Sequence, residues 1–200
     1  MRLKASDFPS PVIVTSSEEV ARLCNKLKQE PFVTIDTEFV REKTYWPELC
    51  LVQLAGAEDV AVIDTLAPGI DLAPLGELLD EPGCIKVFHA ARQDLEIFLH
   101  IFDRLPQSLF DTQVAAMVAG FGDQVGYDSL VGAITGQAID MALRISDWAA
   151  RPMTNDQIAY ASAPVTQLLT AFPALLKLPV ASTRPTLGCA DPAFLLTVFT

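Results

Sequence analysis

Asp36 and Glu38 stand two residues apart in VTIDTEFV, residues 33–40, a run that otherwise reads as a buried β-strand. Successive side chains of a strand alternate between faces, so these two carboxylates project the same way, a few ångströms apart. Like charges held that close in a partly desolvated place raise each other's pKa and cost stability unless something positive lies between them. The pair therefore asks for a cation, or else lies at a strand end that meets water. A third acid, Asp94, occurs in KVFHAARQDLEIF, where an apolar strand gives way to a helix with core positions Leu95, Phe98, Leu99 and Phe102. That places it near the carboxyl end of a strand, the edge at which open α/β sheets bind ligands. A first-turn acid also complements the helix dipole. His89, just before this helix, reads as a structural hydrogen-bonder and stays outside the catalytic set.

The elements that must carry these residues follow from periodicity. TSSEEVARLCNKLKQEP has Ser16 and Glu19 at capping-box spacing and Val20, Leu23 and Leu27 on one face, which predicts a helix closed by Pro31. Three strand-like runs follow, FVTIDTEFV, LCLVQLAG and VAVIDT, joined by connections too short for helical crossovers, so they should form an antiparallel meander. Helical and apolar runs then alternate: LAPLGELLD, CIKVFHA, ARQDLEIFLHIF, SLFDT and QVAAMVAGF. This order adds parallel strands to the meander and predicts a mixed α/β sheet. From Asp123 to about Leu178 the chain reads as helices, interrupted near Ser146 and at Arg151-Pro152. Residues 1–178 form one expected domain, and residues 179–200, with three prolines, a tail of unclear structure.

Composition narrows the class. Half of the 200 residues are hydrophobic, with no evident apolar run near the ~18 residues of a membrane span. No secretory leader is visible. Cys24, Cys50, Cys84 and Cys189 are scattered without a C-x-x-C pair, which suits reduced thiols packed in a core and a cytoplasmic location. The net charge of −11 argues against a broad basic surface that grips nucleic acid. It leaves room for an enzyme that holds a strand end through metal ions and a few local cations.

Taken together, DTEFVREKTYWPELCLVQLA, FHAARQDLEIF, FDTQVAA with GFGDQVGYDSL, and SDWAARPMTNDQIAYASA resemble the exonuclease domain of the bacterial ribonuclease D family. The resemblance runs from about Val14 to Ala174. It implies a ribonuclease-H-like fold and metal-dependent 3′-to-5′ exonuclease chemistry carried by four acidic residues and a tyrosine. Hydrolysing a phosphodiester needs an activated water and a stabilised leaving oxygen, and two metal ions ~4 Å apart supply both. Hard cations such as Mg²⁺ or Mn²⁺ take oxygen ligands. By resemblance, Asp36 and Glu38 hold the ion that activates water, Asp36 and Asp94 support the ion facing the leaving group, and Tyr160 orients the attacking water. The implied substrate is a single-stranded RNA 3′ end, such as that of a tRNA precursor. No membrane partner is implied, and a monomer is the default reading.

Two departures bear on activity. The family's third motif places an aspartate four residues after the tyrosine, on the same helix face; here YASAPVTQLL puts Pro164 there. Proline supplies no ligand, lacks the N–H that would bond the Tyr160 carbonyl, and costs ~3 kcal/mol in a helix interior, so the helix should kink and the water-activating ion should be held weakly. Met141-Ala142 also replaces an expected Lys-Ser pair. The chain ends where ribonuclease D proteins commonly continue into helical RNA-binding domains, which implies the catalytic domain alone. The rival readings are a non-catalytic RNA-end-binding pseudo-exonuclease, favoured by Pro164, and a DNA 3′-to-5′ exonuclease of the same fold.

Overall fold

The computed structural model describes residues 8–41, 45–136 and 146–178. In chain order the elements are β1 (Val12–Val14), α1 (Ser17–Leu27), β2 (Phe32–Val40), β3 (Glu48–Ala55), β4 (Val60–Asp64), α2 (Ala73–Asp80), β5 (Ile85–Phe88), α3 (Arg92–Phe102), β6 (Leu109–Asp111), α4 (Thr112–Val118), α5 (Tyr127–Thr135) and α6 (Asn155–Leu175). The strands form one sheet in the order β1-β4-β3-β2-β5-β6. As expected, β2, β3 and β4 pair antiparallel, and β5 and β6 add in parallel beside β2. The expected tail, residues 179–200, lies outside the described residues, as do Met141-Ala142 and Cys189.

β1 was not anticipated. It is a three-residue edge strand paired in parallel with β4, and Val12 and Ile13 remain exposed, so it lacks the alternating burial that makes a strand visible in sequence.

The two faces of β2 sort the molecule into layers. Val33 and Ile35 pack into the main core with Val20, Cys24 and Leu27 of α1, Leu75 and Leu78 of α2, and Ile97 and Phe98 of α3. Thr34 faces the other way, and its hydroxyl donates to the Val165 carbonyl of α6 at 2.7 Å. The period of two therefore turns Asp36 and Glu38 toward the α6 side as well. On this side Val87 and Phe110 of the sheet pack with Ala115, Leu130, Phe172 and Leu175 of α4, α5 and α6.

α6 starts at a full capping box, in which the Thr154 side chain accepts from Gln157 N and the Gln157 side chain accepts from Thr154 N. The helix then runs unbroken through Pro164 and Pro173. Pro164 therefore lies inside one continuous helix and starts no new helix there. Energetics explain this: Val165, Leu168, Phe172 and Leu175 are buried, and each contributes about 1.5–3 kcal/mol, together more than the ~3 kcal/mol cost of one interior proline. α6 is also the one helix among the described residues long and apolar enough to cross a membrane, contrary to the first impression from the sequence; here it is a core helix packed on β2, β3 and β4.

Candidate active site

β2 continues past the end of β5, which pairs with it only at Phe32, Val33 and Thr34 of β2. Asp36 and Glu38 lie in this overhang and line a cavity of about 370 Å³ between the sheet, the start of α5 and the middle of α6. Its other walls include His89, Gln113, Tyr127, Asp128, Tyr160 and Pro164. Asp94 reaches the same edge from the first turn of α3 and is 7% exposed. Thr37, on the opposite face of β2 from Asp36, donates its hydroxyl to Asp94 Oδ1 at 2.5 Å, so the strand holds the third carboxylate from behind.

Electrostatics tie the three acids together. Burial pushes the Glu38 carboxyl up to about 8, with the Asp36 and Asp94 charges adding to the effect. Burial and the neighbouring Asp94 raise Asp36 well above the ordinary carboxylate range. Asp94 is raised by burial too, and the Thr37 hydrogen bond opposes the rise. None of the three pairs with a basic side chain among the described residues. A set of hard oxygen donors without a counter-charge has the chemistry of a divalent-cation site. The donors are not converged, however: no three His, Cys, Asp or Glu side chains among the described residues form a ready-made cluster. On α6 the cavity is lined by Tyr160, Ala163, Pro164 and Leu168, none of which carries a carboxylate.

The start of α3 is set by Asp111, a residue whose role was not apparent from the sequence. Its carboxylate accepts from Ala90 N and Ala91 N, both at 3.0 Å, and from Gln113 N at 2.8 Å as the N-cap of α4. Ala90 has φ +56°, a left-handed conformation that costs a non-glycine residue about 1–2 kcal/mol. The two hydrogen bonds offset that cost and fix the turn that delivers Asp94. The FDT sequence at a strand end was the available signal, since aspartate there is a strong N-cap.

Tyr160 lies in the second turn of α6, its ring stacked on Trp148 with centroids 6.0 Å apart and 28° between planes. His89 packs edge-on against Tyr127 at 5.6 Å, and its Nδ1 meets the Thr112 hydroxyl at 3.0 Å. Burial lowers its pKa, which keeps the ring neutral. Its place in the cavity wall brings it closer to the site than the sequence suggested. Asp36, Glu38 and Tyr160 thus line one cavity, and Asp94, held by Thr37 from the opposite face of β2, lies near enough for its charge to raise both Asp36 and Glu38.

Residues 11–178 match the family model described as 3′-5′ exonuclease. The ribonuclease D of Gluconacetobacter diazotrophicus is 65% identical over 176 residues, covering 88% of this chain and 45% of that protein. The ribonuclease D of Granulibacter bethesdensis is 64% identical over 174 residues, 87% of this chain and 44% of that protein. Among solved structures, Escherichia coli RNase D, described as an exoribonuclease involved in structured RNA processing, matches with a TM-score of 0.81 and 39% identity over 84% of this chain and 44% of that one. The chain spans less than half the length of these relatives.

Proposed function

The chain belongs to the 3′-5′ exonuclease family, and from that premise we propose that it is a metal-dependent 3′-to-5′ exoribonuclease of the ribonuclease D type, acting on single-stranded RNA 3′ ends such as those of tRNA precursors. The observation that carries the reading is that Asp36, Glu38 and Tyr160 line one cavity where β2 outruns β5, with the Asp94 charge acting on both strand carboxylates. Similarity to ribonuclease D proteins supports an RNA substrate. Three buried thiols, Cys24, Cys50 and Cys84, suit a reducing, cytoplasmic setting.

Asp36, Glu38 and Asp94 would hold one or two divalent ions, Mg²⁺ or Mn²⁺, which when bound supply Lewis-acid stabilisation and a more acidic water. The chain's own residues do the rest. Asp94 is kept in place by Thr37 and by the Asp111-braced turn. The Tyr160 hydroxyl orients the attacking water. The cavity walls formed by Ile35, Ala163 and Leu168 limit the water around a bound strand end. Pro164 leaves the donor set one carboxylate short, so turnover should be slow relative to a chain with aspartate there.

The test is a 5′-labelled RNA with a single-stranded 3′ tail, incubated with the protein and Mg²⁺ or Mn²⁺. Stepwise shortening from the 3′ end, stopped by chelator, is expected. Binding without shortening would make the protein an RNA-end-binding module, the reading that Pro164 favours; faster shortening of the matched DNA would make it a DNA-trimming enzyme.

A further inference from the structure

Arg151 makes five hydrogen bonds in the segment leading into α6. Its Nε and Nη2 clasp Asp64 Oδ2 and Oδ1 at 2.8 and 2.7 Å. Nη2 also donates to the Cys50 carbonyl at 3.1 Å, and Nη1 to the carbonyls of Trp148 and Ala150 at 2.7 and 2.8 Å. The guanidinium thus fastens the loop before α6 to the start of β3 and the end of β4. Asp64 is 8% exposed, so the fork–fork pair is shielded and geometrically specific. The residue whose carbonyl it grips, Trp148, is 3% exposed and stacks on Tyr160. Trp148 also packs with Cys50, Leu51, Val62 and Ala161 in one apolar cluster that includes the Tyr160 ring.

We propose that Arg151 is a positioning residue for Tyr160: by anchoring the Trp148 backbone to the sheet, it fixes the indole against which the Tyr160 ring rests, and so sets where the hydroxyl points in the cavity. The proposal rests on the catalytic reading of Tyr160 given above. Its physical basis is that Tyr160 sits only six residues into α6, too near the helix start for the helix alone to set the ring, whereas Arg151 joins three chain segments at once. Lysine cannot do the same. A single ammonium can keep the charge pair with Asp64, but it has no planar fork to serve Asp64 and three carbonyls together.

The experiment compares wild type, Arg151→Lys, Tyr160→Phe and the double variant in the full-length chain. It measures kcat and KM on the 3′-tailed RNA and records the ring signals of labelled tyrosine by NMR. The chain has three tyrosines, so the Tyr160 signal is assigned by its loss in Tyr160→Phe. Arg151→Lys should move the Tyr160 signals toward those of an unstacked tyrosine. It should lower kcat about 10- to 100-fold with KM nearly unchanged, and add little to Tyr160→Phe. Should Arg151→Lys not fold, Asp64→Asn takes its place, because it leaves the three carbonyl bonds available and weakens only the clasp; a smaller shift in the same direction is then expected. Unmoved Tyr160 signals, or a kcat loss that multiplies with that of Tyr160→Phe, overturn the proposal. If the wild type shows no turnover, the catalytic reading of the site fails, and the Tyr160 signals alone decide whether Arg151 holds the ring.

Discussion

The Tyr127 hydroxyl lies 3.0 Å from the carbonyl oxygen of Pro164, which ties the start of α5 to the middle of α6 across the cavity wall. The same phenol oxygen is 2.6 Å from the Gln167 side-chain amide. The shorter distance is that of an O–H···O bond to Gln167 Oε1, and the same proton is shared with the Pro164 carbonyl, so the phenol meets two acceptors on α6. At the next residue, Thr34 donates to the Val165 carbonyl from the sheet. The backbone around position 164 is therefore held from two sides, and Pro164 lines the same cavity as Asp36 and Glu38. The proline has not displaced the helix from the site; it has changed what the helix presents.

Asp36→Ala should abolish shortening of the 3′-tailed RNA while leaving the fold intact or slightly more stable. Asp36 raises Glu38 and is itself raised by Asp94, so its removal relieves repulsion in the charge cluster. Thermal melting without added metal, read beside turnover, checks both halves. Unchanged turnover would remove Asp36 from the mechanism.

Asp111→Ala should weaken the site without touching a carboxylate in it. The variant strands the Ala90 and Ala91 amides and uncaps α4, so a loss of about 1–2 kcal/mol in stability is expected from the cap alone. Because the freed turn carries Asp94, Mn²⁺ affinity should also fall, roughly 10-fold or more. Denaturant unfolding and calorimetric titration measure the two effects separately. A stability loss with full metal affinity would confine Asp111 to a folding role.

Which of these relationships were legible in the sequence depended on how local they are. The N-cap of α1 forms where its spacing places it, with Ser16 Oγ accepting from Glu19 N and donating to Glu19 Oε2. The shared face of Asp36 and Glu38 follows from the period of a strand, and the mixed sheet from the order of its elements. β1 was illegible because three residues at a half-exposed edge carry no pattern. The N-cap role of Asp111 was within reach of its local sequence, but its bonds to Ala90 and Ala91 and the Arg151 clasp on Asp64 were not, because those partners lie about 20 and 87 positions away, beyond any spacing rule. α6 stays continuous through Pro164 because the apolar face it buries outweighs the local propensity of one proline.

The pH dependence of stability without added metal should run opposite to ordinary acid denaturation. The Glu38 carboxyl titrates at about 8 in the folded chain, against roughly 4.3 when unfolded. A raised folded pKa means that the native state holds the proton more tightly. The stabilisation is fully present below about pH 4 and is lost as pH rises through 8. Asp36 and Asp94 are raised as well and act in the same direction. Melting temperatures in chelator should therefore fall between about pH 5 and 8.5. Mn²⁺ should flatten the decline, because it supplies the charge that the ionised acids lack, and Glu38→Gln should reduce it. A melting temperature that rises across this window would contradict the charge cluster.

Pro164→Asp should raise both metal affinity and turnover, and three effects point that way. The backbone regains an N–H for the Tyr160 carbonyl and loses a ring that crowds it, a local gain of up to ~3 kcal/mol. The carboxylate enters a cavity wall already shared with Asp36, Glu38 and Tyr160, and so adds a hard oxygen donor where the set is short. Regular hydrogen bonding through this turn also steadies Tyr160, one turn earlier, whose hydroxyl placement governs rate. A fourth acid among raised carboxylates has a cost: without metal the variant should be less stable than wild type at pH 8, and the gain should appear only with Mn²⁺ or Mg²⁺. The Tyr127 bond is no obstacle, since it is made to the backbone carbonyl, which the substitution keeps. Calorimetric Mn²⁺ titration and exonuclease rates for both forms settle the matter. A 10-fold or larger increase in each is expected, and equal affinity with equal rate would place position 164 outside the metal site.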